Sequence, residues 1–131
     1  MRRDASDYLA FVKSTLISCV CVTGITLLRD EALVETGLYR YRITLSDGGF
    51  LEICERFTIE NDEVKVTKYR FHWQDATGLL QKRWDNAAHH PELETFPHHL
   101  HDGSEMNVIS HYPVTVVDIL KIVCEALMVE D

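Results

Sequence analysis

No two cysteines in this chain are spaced as CxxC, no HExxH occurs, and neither an internal repeat nor a low-complexity linker is visible. Each absence removes a class of protein. The four cysteines, Cys19, Cys21, Cys54 and Cys124, follow neither a zinc-finger nor a disulfide-framework spacing. Reduced, packed thiols in a cytoplasmic protein are therefore expected. A long clean apolar run is also missing. Residues 8–28 are fairly apolar, but Lys13, Ser14, Thr15, Ser18, Thr23 and Gly24 interrupt them and they begin late. Neither a signal peptide nor a membrane span is expected. Positive charge is scarce, with 13 Lys and Arg against 21 Asp and Glu, a formal net charge of −8. Such a chain does not coat nucleic acid through net charge, although it can hold a local basic patch.

What is present suits one soluble domain. A chain of 131 residues, 46% hydrophobic and 26% charged, can bury one core and is too short for two. Tyr8, Leu9, Val12, Leu16 and Cys19 recur at helical spacing and predict a helix over about 4–18, preceded by a frayed Met1-Arg2-Arg3. A first strand is expected from Val20 to Leu28. Residues 36–86 read as a β-meander. Leu38–Ser46 alternates strictly, Asp47-Gly48 marks a two-residue hairpin turn, and Asn61-Asp62 and Asp75–Gly78 mark the next two turns. Residues 87–112 are expected to be an irregular loop punctuated by Pro91 and Pro97. Residues 113–131 hold a closing helix, with Thr115 and Asp118 as a capping box and Val116, Ile119, Leu120, Val123 and Leu127 as its apolar stripe. The expected fold is α+β, an antiparallel meander of four to five strands with both helices packed on one face.

The turns predict which side chains share a face, because strand side chains alternate with period two. Ser46 against Gly49 sets Arg42 opposite Ile53 and Arg40 opposite Glu55. Glu60 against Glu63 sets Glu55 opposite Lys68. Gln74 against Leu79 sets His72 opposite Gln81, Arg70 opposite Arg83, and Lys68 opposite Asp85. One face then carries Tyr39, Tyr41, Ile43, Leu45, Phe50, Cys54, Tyr69, Phe71, Trp73, Leu80 and Trp84, to be covered by the helices. The other carries Arg40, Arg42, Glu55, Lys68, Arg70, His72, Arg83 and Asp85. Five cations gathered on one face of an acidic protein favour a polyanion such as RNA. The bland reading is a solvated sheet face with cross-strand ion pairs.

Six of the seven histidines fall between His89 and His111, five of them in the segment His89–His101. Imidazoles titrate near neutral pH, carry a lone pair and are costly to bury unpaired. Three readings follow. Zinc is one, with His89, His90, His98, His99 and His101 as candidate ligands and Glu92, Glu94 or Asp102 to complete a site. No established ligand spacing supports it, so no metal or other cofactor is expected. Acid–base catalysis is the second, one ring taking a ribose 2′-hydroxyl proton and another donating to the leaving oxygen. The third is structural, the rings hydrogen-bonding the loop to the sheet.

The residues Phe71-His72-Trp73-Gln74-Asp75, Arg83-Trp84-Asp85-Asn86-Ala87 leading into His89-His90-Pro91, and Thr95-Phe96-Pro97-His98-His99-Leu100-His101 resemble the signature of TumE-type proteins. The resemblance spans about Tyr39–Asp102, with Ala88 in place of a proline and Leu100 in place of a basic residue. It implies the toxin of a two-gene prokaryotic toxin–antitoxin system, with a helix-turn-helix antitoxin as partner. By fold-level analogy, RelE-type toxins cut RNA from an antiparallel sheet with a basic face. The combined expectation is a metal-independent endoribonuclease. Arg40, Arg42, Lys68, Arg70 and Arg83 would hold phosphates. His72, Glu55, Asp85, His98, His99 and His101 would supply proton transfer. The alternatives are a non-enzymatic protein that binds a target or its antitoxin, and a zinc-dependent nuclease or hydrolase. A homodimer stays open.

Overall fold

The computed structural model describes residues 4–128, so the expectation for Met1-Arg2-Arg3 lies outside the described residues. Helix α1 spans Ala5–Ser18. It starts where the Asp4 side chain accepts the Asp7 N–H at 2.9 Å and Asp7 accepts the Asp4 N–H at 3.0 Å, a reciprocal cap. Its buried stripe is Ala5, Tyr8, Val12 and Leu16. Seven strands follow: β1 (Val22–Ala32), β2 (Thr36–Leu45), β3 (Phe50–Glu60), β4 (Glu63–Gln74), β5 (Leu80–Asp85), β6 (His99–Asp102) and β7 (Val108–Ser110). Helix α2 spans Val116–Met128, and Thr115 and Asp118 make the reciprocal cap that the sequence predicts.

All seven strands form one antiparallel sheet in chain order. This confirms the α+β meander, with more strands than the four to five expected. The surplus comes from the histidine-rich segment, which is not irregular throughout. His99–Asp102 pairs with β5, and Val108–Ser110 pairs with it in turn. A single core joins α1, α2 and one sheet face, through Tyr39, Tyr41, Ile43, Leu51, Ile53, Phe57, Phe71, Trp84, Ile119 and Val123 among others.

The register corrects the expected pairing, and the turns explain how. At Asp47-Gly48 the loop is not two residues long. Gly48 N–H donates to the Leu45 carbonyl, and Leu45 N–H to that of Gly49. Only Gly48 has positive φ (89°). This is a type I turn closed by a left-handed glycine, a three-residue loop. It shifts the pairing by one, so Tyr39 rather than Arg40 lies opposite Glu55. A one-residue slip turns every side chain of the returning strand over. Strand β3 therefore buries Leu51, Ile53, Glu55 and Phe57, and leaves Cys54 on the other face.

Asn61 and Asp62 both have positive φ and make the tight turn as expected. A bulge between Arg56 and Phe57 then adds one residue on β4 and restores the predicted facing of Tyr69, Phe71 and Trp73. The next turn repeats the first, with Gly78 at φ 93°. A further register shift sets His72 opposite Arg83, and Arg70 opposite Asp85 rather than Arg83. The slips cancel outside β3, except at Leu80, which pairs with Gln74 and so leaves the helix-covered face where it was expected.

Candidate functional site

Two rows of side chains cross the uncovered face of the sheet. The first runs from strand to strand through Arg29, Arg40, Cys54, Arg70, Asp85 and His99, each paired in register with the next. The second runs through Arg42, Glu52, His72, Arg83 and His101. Both rows begin in cations and end in imidazole. They meet at β5 and β6, where Arg83, Asp85, His99 and His101 share one small, mostly buried patch.

The cationic end is partly neutralised. Arg40 Nε donates to Glu52 at 2.7 Å, and Arg42 reaches the same carboxylate at 3.6 Å while lying over the Phe50 ring. Burial pushes the Glu52 carboxyl up, but the hydrogen bonds and charges of Arg40 and Arg42 outweigh it and hold it below the usual range. Arg56, Lys68 and Arg70 are exposed and make no ion pair among the described residues. With Arg29 and Arg40 they line a depression of about 290 Å³ on this face. Composition alone did not single out Arg29 and Arg56; the register places them there.

At the other end Arg83 is only 12% exposed, and its fork is held by both oxygens of Glu105. The Arg83 hydrogen bond keeps the Glu105 carboxyl below its ordinary range. Arg83 Nε, which has no hydrogen-bond partner, lies 3.6 Å from Asp85 Oδ2. Asp85 Oδ1 accepts the Ala87 N–H at 3.0 Å and stands 3.0 Å from His99 Nε2, and Oδ2 is 3.7 Å from His101 Nε2. His99 and His101 Nδ1 donate to the carbonyls of Pro97 and Glu105, both at 3.0 Å. Burial lowers the affinity of His101 for a proton. The His90 ring stands edge-on to both, 5.2 and 6.2 Å away by centroid, with its Nδ1 on Glu92. His72 Nε2 donates to Gln74 Oε1 at 3.0 Å, leaving a buried Nδ1 with no partner.

Of the residues predicted from the sequence, Arg40, Arg42, Lys68, Arg70, Arg83, His72, Asp85, His99 and His101 share the open face. Two do not. Glu55 is on the helix-covered face because of the three-residue loop before β3, and there its Oε1 accepts the hydroxyls of Tyr8 and Tyr39, each at 2.6 Å. Burial raises its pKa although both hydroxyls oppose this. His98 also faces the helices, since it alternates with His99. It shares a 2.9 Å hydrogen bond with the Tyr69 hydroxyl, and burial together with the nearby His99 disfavours its charged form. His89 is exposed and outside the patch. Glu52 and Glu105 were missed. Correct register exposes the first, while no sequence pattern points to the second, which folds back across a turn from β6.

The chain belongs to the family described as Toxin TumE, whose pattern it matches over residues 14–128. No curated protein and no solved structure matches it. Membership in a toxin family implies an antitoxin partner. No helix among the described residues is long and apolar enough to cross a membrane.

Proposed function

We propose that this chain is the toxin of a toxin–antitoxin pair, held in check by a helix-turn-helix antitoxin, and that it cuts RNA on the open face of its sheet. One observation carries the reading. The two register-paired rows lead from a cationic end, flanked by the unpaired Arg56, Lys68 and Arg70, to a buried cluster of arginine, carboxylate and imidazole on the face that the helices leave free. Cations along a groove grip a phosphate backbone whatever the protein's total charge. Arg56, Lys68 and Arg70 are free for that task.

Arg83 and His72 face each other across β4 and β5. The His72 Nδ1 lone pair, buried and without a partner, is placed to take the proton of an attacking hydroxyl. The Arg83 guanidinium, preorganised by Glu105, is placed to stabilise charge growing on the phosphoryl oxygens. Burial without a partner is costly for both His72 Nδ1 and Arg83 Nε, and such orphans fit a site that a ligand completes.

The test replaces His72 by Gln and Arg83 by Gln together. Expressed without antitoxin, the double variant should stop arresting growth, and the purified protein should leave total RNA intact where the wild type cuts it. Full growth arrest by the double variant, with the protein folded, would overturn the reading. A wild type that arrests growth while leaving RNA intact would favour a toxin that acts by docking to its target.

A further inference from the structure

We infer that Asp85, His99 and His101 form a binding site for one divalent transition-metal ion of the zinc class. The inference goes beyond the RNA-cleaving assignment and does not depend on it. Their ligand atoms all lie within 4.8 Å of one another, and all three residues are buried.

Hydrogen bonding determines which atoms are available. A carbonyl oxygen only accepts, so the contacts from His99 Nδ1 to Pro97 and from His101 Nδ1 to Glu105 place a hydrogen on each Nδ1. In the neutral rings each Nε2 then carries a lone pair. The two Nε2 atoms lie 3.0 and 3.7 Å from the two oxygens of Asp85. Three acceptors brought together out of water repel one another unless something positive sits among them.

Arg83 supplies one positive charge 3.6 Å from Oδ2, and the 3.0 Å contact would fit a proton on His99; neither satisfies the His101 Nε2 lone pair. A protonated His101 would donate to Asp85 at about 2.7–2.9 Å. The observed 3.7 Å is too long for that bond and would leave a buried N–H unmet. Ligands bound at about 2.1 Å around a tetrahedral ion lie roughly 3.4 Å apart. With one ligand atom from each residue, the set lies within 4.8 Å and closes on that edge by small side-chain rotations.

The surrounding hydrogen bonds also suit a metal. Each ligating imidazole is oriented by a carbonyl on its other nitrogen, and the carboxylate is oriented by the Ala87 N–H. Asp85 faces His99 directly across β5 and β6, and His101 follows two residues on, so period two brings both rings to one side of the carboxylate. Strands hold such a set more rigidly than a loop does. Two imidazoles and one carboxylate leave a fourth position open, as catalytic zinc sites do. The His90 ring stands beside both imidazoles, and Arg83 lies beside the carboxylate.

The test loads the purified, folded protein with Zn(II), then with Co(II) in its place. The expected result is one equivalent of metal, removable by a chelator, and a Co(II) visible spectrum characteristic of nitrogen and oxygen ligation. His101→Gln and Asp85→Asn should each weaken metal binding about a hundredfold while keeping the circular dichroism of the wild type. His89→Gln and His111→Gln should leave it unchanged. Failure of the folded wild type to hold a stoichiometric ion would overturn the inference, as would loss of binding in His89→Gln but not His101→Gln. Metal bound by a protein that leaves RNA intact would keep the site and remove the nuclease. RNA cleavage by metal-free, chelator-treated protein would keep the nuclease and remove any catalytic part for the ion; the Co(II) spectrum would still decide the site.

Discussion

Glu55 and Asp85 are both buried carboxylates, one on each face of the same sheet, and their neighbours differ in kind. Glu55 lies against the helices among neutral donors, the hydroxyls of Tyr8 and Tyr39, and its second oxygen has no partner. Burial therefore prevails and its carboxyl holds a proton more tightly than usual. Asp85 lies on the open face beside a guanidinium and two imidazoles. The first arrangement ties a helix to the sheet. The second gathers a guanidinium, a carboxylate and two imidazoles in one mostly buried patch.

The sharpest way to break this comparison is to remove the same charge from each carboxylate. Asp85→Asn should lower RNA cleavage by about a hundredfold or more, with little loss of thermal stability. Glu55→Gln should leave cleavage unchanged. Equal loss of activity in both variants, measured per folded molecule, would erase the distinction.

Next in size is the helix tie. Tyr39→Phe leaves Glu55 one donor fewer and should destabilise the fold by about 1–3 kcal/mol in denaturant titration, without altering cleavage by the folded fraction. The same carboxylate sets a pH dependence. Its folded pKa lies above the unfolded value, so its contribution is complete below the unfolded pKa of about 4.3 and is lost as pH rises through the folded pKa. Glu55→Gln should thus gain on the wild type as pH rises, and the advantage should vanish near pH 4. An advantage that instead grew as the pH fell would show that the carboxylate is stabilised in its charged form.

The smallest effect concerns the exposed cations. Lys68→Ala and Arg70→Ala together should reduce the slope of log affinity for single-stranded RNA against log salt by about 1.4, roughly 0.7 for each phosphate no longer neutralised. Stability should stay within about 0.5 kcal/mol. An unchanged salt slope would mean that RNA does not lie over these exposed cations.

Much of the architecture was legible because it depends on local patterns. The stripe of α2 and its Thr115–Asp118 cap, the Asn61-Asp62 turn, and the facing of Tyr39, Tyr41, Phe71 and Trp84 all follow from residues close in sequence. Strand β3 was misplaced because Asp47-Gly48 serves two turn types that differ by one residue, and one residue suffices to exchange Glu55 for Cys54 on the open face. Strand β6 was missed because its four residues carry three polar groups, His99, His101 and Asp102, and its pairing partners lie in β5 and β7. Such a strand exists only once its neighbours are in place.

The amino-acid order by itself determined the two helices and their caps, the meander from β2 to β5, the apolar faces of β2 and β4, and the family, since each depends on spacing within a few turns or on motifs read in line. Only the tertiary structure decided which histidines converge. His98 and His99 are adjacent in the chain, yet strand alternation sends one ring to Tyr69 under the helices and the other to Asp85 on the open face. Period two assigns a face only after the register is known, and here that register hangs on a three-residue loop and on bulges that no single side chain announces.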